Sequence, residues 1–191
     1  MERGRPPVEY TTWISLGGGA LVAPDASMGV FDMRAGVDTT FGIGRKDDLR
    51  LGPFVEVGTE TFASVRTIGG VELFIGAIPR PLRMFLYSGE GVLMARLGAG
   101  YAWRSDDLPG AHSTPVASLT LAYGYRCPFS LREPQDYESS EEIRRARARY
   151  MIGARLWVST VVDLRDSPSW QLTGGIEFEP VGSFRYLLGL Y

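Results

Sequence analysis

Ten charged residues fall on the polar side of segments in which polar and apolar positions alternate. They are Asp32, Arg34, Asp38, Glu56, Glu60, Glu72, Arg96, Arg155, Asp163 and Glu177. Carboxylates and guanidinium groups that project into one narrow space can pair as a structural network, line a proton path, or form rings that select ions. Because buried charges are costly unless they are paired, the sequence predicts a charge-paired lumen network.

His112, the only histidine, stands beside Ser113 in the segment PGAHSTP. A histidine and a serine that face the same way, near a carboxylate, could form the nucleophilic site of a lipid-modifying enzyme. Adjacent strand residues point to opposite faces, and Pro109 and Pro115 indicate a loop here. The sequence therefore predicts no catalytic residue and no enzyme. Cys127 is the single cysteine, which excludes an intramolecular disulfide and a cysteine-based zinc site. No metal or other cofactor is expected.

Arg145, Arg147 and Arg149 alternate with alanine and tyrosine. On a strand their side chains project together at intervals of about 6.6–7 Å. At the rim of a barrel they could contact lipid phosphates, such as those of lipopolysaccharide, or balance the acidic run at 138–142. Both interpretations stay open.

The elements that must position these residues are clearest at 29–44, where two sets of residues alternate. The apolar or small set is Gly29, Phe31, Met33, Ala35, Val37, Thr39, Phe41 and Ile43, and the other is Val30, Asp32, Arg34, Gly36, Asp38, Thr40, Gly42 and Gly44. A period of two gives a β-strand two distinct faces. Soluble strands rarely exceed about ten residues. A strand of this length with one apolar face therefore predicts a membrane-spanning barrel.

The same alternation predicts about ten strands, with eight as the alternative. They cover approximately 9–22, 29–44, 49–63, 66–78, 84–87, 92–104, 114–127, 145–164, a segment ending at 178, and 184–191. Residues 1–8 are predicted as an N-terminal extension and 128–144 as one long surface loop. The whole chain, 1–191, is expected to form a single β-barrel domain.

Composition excludes two other classes of protein. Hydrophobic residues make up 45% of the 191 residues, and no run approaches the roughly twenty apolar residues of a transmembrane helix. The formal net charge of −2 argues against a nucleic-acid partner. The 24 glycines, 9 tyrosines and 9 phenylalanines favour an all-β protein.

The residue types on the two faces indicate which one points inward. The polar face is rich in Gly, Thr and Ser with single charges, and a lumen of about eight to ten strands has room only for side chains. The other face is apolar, with aromatic residues near the predicted strand ends, as in the interfacial girdles of membrane barrels. These are Tyr101, Trp103, Tyr123, Tyr125, Tyr150 and Trp170. A soluble lipocalin-like barrel that binds a small apolar ligand remains an alternative.

On this pattern, nearly the whole chain resembles the small bacterial outer-membrane β-barrel proteins of the OmpA/OmpX type. The chain also ends on an aromatic residue, Tyr191, in FRYLLGLY. This looks like the C-terminal signal by which such proteins are recognised for membrane assembly. The family usually places apolar residues at alternate positions counted back from the last one. Here Phe184, Tyr186, Leu188 and Leu190 form the more apolar set, which departs from that pattern.

The resemblance implies an antiparallel up-and-down transmembrane barrel in the bacterial outer membrane. Its expected partners are outer-membrane lipid with lipopolysaccharide as a candidate, the barrel-assembly machinery, and an envelope protein. The expected role is passive: structural, adhesive or in envelope assembly; a narrow outer-membrane channel is the alternative. The opening MERGRPPVEY has no apolar signal segment. For an exported protein this is expected of the mature chain with Met1 added for expression; for a cytoplasmic protein it would be the native start.

Overall fold

The computed structural model describes residues 8–43, 49–78, 91–105, 108, 113–126, 153–165 and 169–181. Eight strands in these residues pair in chain order, and pairing of the first with the last closes the barrel. They are β1 (Val8–Val22), β2 (Ser27–Gly42), β3 (Leu49–Glu60), β4 (Ser64–Ile78), β5 (Gly91–Arg104), β6 (Ser113–Gly124), β7 (Ala154–Asp163) and β8 (Trp170–Phe178). All eight pairings are antiparallel. The predicted all-β, antiparallel, up-and-down barrel is confirmed. The described strands close it at eight, the alternative count, rather than at the predicted ten.

The alternating sequence determines the two surfaces of the barrel. In β2, Asp32 and Arg34 are buried, whereas Phe31 and Met33 are exposed. The polar set therefore faces the lumen and the apolar set faces outward, as predicted from 29–44. This arrangement is the reverse of a soluble barrel with an apolar interior.

The strands are strongly tilted. A row of paired residues that leaves β1 at Thr12 returns to β1 at Val22, ten residues further along. It passes through Val37, Val55, Gly69, Ala99, Ala117, Val162 and Trp170. In small barrels such an offset accompanies a tilt of about 35–45°, and the interior is just wide enough for side chains to fill it.

The two ends of the barrel differ in their connections. At the terminal end, β1 begins and β8 ends, and segments 43–48, 79–90 and 125–153 join the strands. At the opposite, turn end the connections are 23–26, 61–63, 105–112 and 164–169, none longer than eight residues. The longest connection, which contains the predicted loop 128–144, therefore joins two strands at the end where β1 begins and β8 ends.

The turn after β3 corrects one predicted boundary. The strand ends at Glu60 rather than near residue 63 because Thr61 and Phe62 have φ angles of 52° and 60°, in the left-handed region. The turn is attached to β2, since Thr61 N donates to the Phe31 carbonyl at 2.7 Å. Other boundaries move slightly: Val8, predicted in the extension, begins β1, and β6 ends at Gly124.

Several sequence predictions fall outside the described residues. These are the strands at 84–87 and 184–191, the loop at 128–144, His112, Cys127, Arg145, Arg147, Arg149, Tyr150 and Tyr191. Among the described residues, β7 begins at Ala154. No helix in the described part of the chain is long and apolar enough to cross a membrane.

Candidate functional site

The lumen contains seven arginines and nine carboxylates that are buried within the described residues. All ten charged residues singled out in the sequence lie there. Six more were not in that set: Glu9, Arg50, Arg66, Arg104, Arg126 and Glu179. Those in the strands share the inward phase of their neighbours, which was the signal that could have identified them.

A turn-end cluster consists of Asp32, Arg34, Glu60, Arg66, Arg104 and Asp163. Arg66 is at its centre: Nη2 donates to Asp32 Oδ1 at 2.7 Å, and Nη1 donates to Glu60 Oε1 at 2.7 Å. Arg104 continues the chain of ion pairs, with Nε 3.1 Å from Glu60 Oε2 and Nη1 2.8 Å from Asp163 Oδ2. Four strands, β2, β3, β4 and β5, are thus linked to β7 through side chains.

A terminal-end cluster consists of Glu9, Asp38, Arg50, Glu72, Arg96, Arg126, Arg155, Glu177 and Glu179. Arg96 donates through Nε to Glu72 Oε2, and through Nη1 to Glu177 Oε2 at 2.5 Å. Arg155 Nη2 approaches Glu177 Oε1 at 2.5 Å, and its Nη1 lies 2.8 Å from Glu179 Oε1. Glu177 is therefore shared between two guanidinium groups.

The same cluster extends to the first strands of the barrel. Arg126 Nη1 donates to Glu9 Oε2 at 2.9 Å, and its Nη2 donates to Asp38 Oδ1 at 3.0 Å. Arg50 Nε lies 3.2 Å from Glu9 Oε2. The two Arg126 contacts join residues more than eighty positions apart in the chain.

Aromatic rings fill the lumen between the guanidinium groups. The Arg96 guanidinium carbon lies 3.8 Å from the centroid of the Trp13 ring, and that of Arg34 lies 4.3 Å from the Trp157 ring. Trp13 is on β1 and Arg96 on β5, which stand on opposite sides of an eight-stranded ring. Contacts of this kind are attractive. The lumen is therefore crossed by side chains that meet in its middle.

The outer surface carries no charge on any of the eight strands as described: every charged residue within them is buried. Instead, exposed aliphatic side chains surround the barrel. They include Leu16, Met33, Val37, Val55, Val57, Val71, Leu97, Leu119, Leu121, Val158 and Ile176. This aliphatic belt involves every strand.

Aromatic residues lie on both sides of the aliphatic belt. Exposed rings at the turn end are Phe31, Phe62, Trp103 and Trp170, and those at the terminal end are Tyr10, Phe41 and Phe178. Of the other predicted girdle residues, Tyr101, Tyr123 and Tyr125 are half-buried. Between Phe31 and Phe41, ten residues of a strand tilted by about 40° rise about 25 Å, which matches the apolar band of membrane barrels.

The lumen is suited to ion pairing rather than to carrying an apolar molecule. Its charged clusters occupy the space where a lipocalin-like barrel would hold its ligand. Within the residues that the structure describes, no group of three or more His, Cys, Asp or Glu side chains is arranged to hold a metal ion.

A comparison with solved structures finds a distant similarity. No protein-family model and no curated protein sequence matches the chain. The crystal structure of Neisserial surface protein A, NspA, aligns with a TM-score of 0.44 at 13% identity, over 91% of this chain and 97% of that chain. The barrel fold itself is established by the strand pairing within this chain.

Proposed function

We propose that the chain is an integral outer-membrane β-barrel with a passive role in the envelope: structural, adhesive or in envelope assembly. The observation that carries the proposal is the outer surface, on which no described strand presents a charge. An outer surface in contact with water can carry charged side chains, whereas an outer surface in contact with lipid excludes them. Closure of the barrel satisfies the backbone without water, as a membrane-spanning sheet requires.

The ion-paired lumen has a structural role in this proposal. Its arginines and carboxylates hold opposite sides of the barrel together. Such a lumen supports a rigid barrel whose connecting segments carry the function, rather than an enzyme that binds a substrate inside the barrel. No enzymatic activity is proposed. The partners are outer-membrane lipid, with lipopolysaccharide as a candidate, the barrel-assembly machinery, and an envelope protein.

An arginine placed in the middle of the aliphatic belt tests the membrane location. Leu97 is 67% exposed near the midpoint of β5. We expect Leu97→Arg to lower the free energy of unfolding in lipid vesicles by about 2–4 kcal/mol, because the guanidinium group would lie at the bilayer midplane. Urea titrations of vesicle-refolded protein measure this, with gel mobility of unheated samples reporting the folded fraction.

Leu164→Arg is the matched control, since Leu164 is 58% exposed but lies just beyond β7 at the turn end. Near the interface the expected cost is only about 0–1 kcal/mol. Equal effects of the two variants, together with wild-type protein that folds and stays monodisperse without detergent or lipid, would contradict the membrane location.

A narrow channel is the second candidate function, and it is favoured by unpartnered polar atoms in the lumen, such as Asp38 Oδ2 and Glu72 Oε1. Polar groups of this kind favour water, which a channel needs. Because side chains cross the lumen, we expect wild-type protein in planar bilayers to give no discrete conductance steps. Reproducible conductance steps would favour the channel. Arg96→Ala, which removes one of the side chains that cross the lumen, is the comparison in which conductance steps are easier to obtain.

A further inference from the structure

Glu56 differs from the other buried carboxylates of the described residues because it forms no ion pair. Each of the other eight lies within salt-bridge distance of an arginine. Glu56 is 2% exposed, and its Oε1 has no hydrogen-bond partner. Its charge acts on Arg66, but the hydrogen bonds of Arg66 go to Asp32, Glu60 and Gln171. When ionised, a carboxylate buried in this position requires a compensating positive charge.

The charge balance around Glu56 indicates how much compensation is needed. The turn-end cluster has three arginines and three carboxylates, and Glu56 adds a fourth carboxylate. Arg34 is paired with Asp32. Arg104 is paired with both Glu60 and Asp163. One negative charge therefore remains without a partner, which corresponds to one monovalent ion.

A donor without an acceptor lies in the same row of the sheet. Trp13 pairs with Gly36 across β1 and β2, and Gly36 pairs with Glu56 across β2 and β3. The indole covers Gly36: its Cζ2 atom would be 2.4 Å from a Cβ at that position. Trp13 Nε1 is buried and has no hydrogen-bond partner. With strands about 4.8 Å apart, the backbones of Trp13 and Glu56 are about 10 Å apart, and the indole over Gly36 extends from β1 towards Glu56.

A hydroxyl group completes the set. Ser15 follows Trp13 by two residues on the inward face of β1, is 1% exposed, and its Oγ is also without a partner. Buried polar atoms are nearly always hydrogen-bonded, so these three unpartnered atoms on inward positions of β1 and β3 indicate bound water or an ion.

We propose that Glu56 binds one hydrated alkali cation inside the lumen. The carboxylate of Glu56 and the hydroxyl of Ser15 are oxygen ligands of the kind that hard cations prefer. A water molecule of the ion accepts a hydrogen bond from Trp13 Nε1, which a bare cation cannot do. Glu56, the one buried carboxylate of the described residues without an ion pair, fits a monovalent ion. The site depends on the lumen alone and holds whether or not the barrel lies in a membrane.

The test compares salts during refolding, so that the ion can enter while the barrel closes. Wild-type protein is refolded in detergent with sodium chloride, potassium chloride or choline chloride at one ionic strength. At an alkali concentration ten times the dissociation constant, the unfolding equilibrium constant is expected to be about tenfold smaller than in choline chloride. In Glu56→Gln, which keeps the shape of the side chain, this difference is expected to disappear.

Glu9→Gln is the matched control, because Glu9 is as buried as Glu56 but is paired with Arg50 and Arg126 in the terminal-end cluster, so its loss leaves the charges around Glu56 unchanged. It is expected to destabilise the barrel in every salt while the alkali-specific difference remains. Sodium NMR line broadening by the wild-type protein, competed by potassium but not by choline, measures the site without any variant. Identical stability of wild type in alkali and choline salts, or a difference that persists in Glu56→Gln, would overturn the proposal.

Discussion

Replacing Arg96 with alanine is expected to lower the free energy of unfolding by about 3–5 kcal/mol, the usual cost of removing one member of a buried ion pair. Arg96 is 2% exposed and donates to Glu72 and Glu177. Glu177 keeps its contact with Arg155, but Glu72 loses its salt bridge with Arg96. The stack on Trp13 is lost as well. Urea titration of the refolded barrel measures the change.

Two further variants separate the charge effect from the loss of packing. Arg165→Ala removes an exposed arginine just after β7 and is expected to change stability by less than about 0.5 kcal/mol. Adding Glu72→Gln to Arg96→Ala is expected to recover part of the loss, because it removes the carboxylate left without its arginine. A loss for Arg96→Ala no larger than that for Arg165→Ala would contradict an ion-paired lumen that supports the fold.

The faces of the strands could be predicted from sequence because a strand has a period of two. Asp32, Arg34 and Asp38 share a phase with glycine and threonine, which assigns them to one surface whatever the topology. When the sheet closes into a small barrel, that surface becomes the lining of the narrow lumen. The same phase in β1 puts Trp13 with Glu9 on the lumen side, although an indole suggests the outer girdle if residue type alone is considered.

The ion-pair partners could not be predicted in the same way. Arg96 and Glu177 are 81 residues apart, and Arg126 and Asp38 are 88 residues apart. Which guanidinium group meets which carboxylate depends on the ten-residue offset of the barrel, and alternation within a strand carries no information about that offset. The missing partner of Glu56 is likewise visible only when the contacts of all neighbouring strands are known.

The glycines of the inner face are explained by the curvature of the barrel. On the inside of a narrow barrel the backbones of neighbouring strands converge, so at the points of closest approach an inward Cβ would meet the carbonyl group of the adjacent strand. A Cβ on Gly52 would lie 1.7 Å from the Thr39 carbonyl oxygen, and one on Gly19 would lie 1.9 Å from that of Leu172. Glycine in a strand normally weakens it, but here it permits the close approach that closure requires.

Gly52→Ala is therefore expected to destabilise the barrel by about 3 kcal/mol or more, at or above the upper part of the range for overpacking substitutions. The conflict is with backbone atoms, Thr39 O and Thr40 Cα, so β2 and β3 must separate to accommodate a methyl group. Urea titration and the yield of refolded, heat-sensitive barrel on gels measure the effect.

Gly69→Ala is the matched control on the outer face. The nearest backbone atom to a Cβ at Gly69 is Phe54 O at 3.7 Å, an ordinary van der Waals contact. Because alanine also restricts the unfolded chain, Gly69→Ala is expected to be neutral or to stabilise by up to about 1 kcal/mol. Equal changes in stability for the two variants would contradict the explanation of the inner glycines by barrel curvature. A loss of stability confined to Gly52→Ala would show that inward glycines are needed to close an eight-stranded barrel.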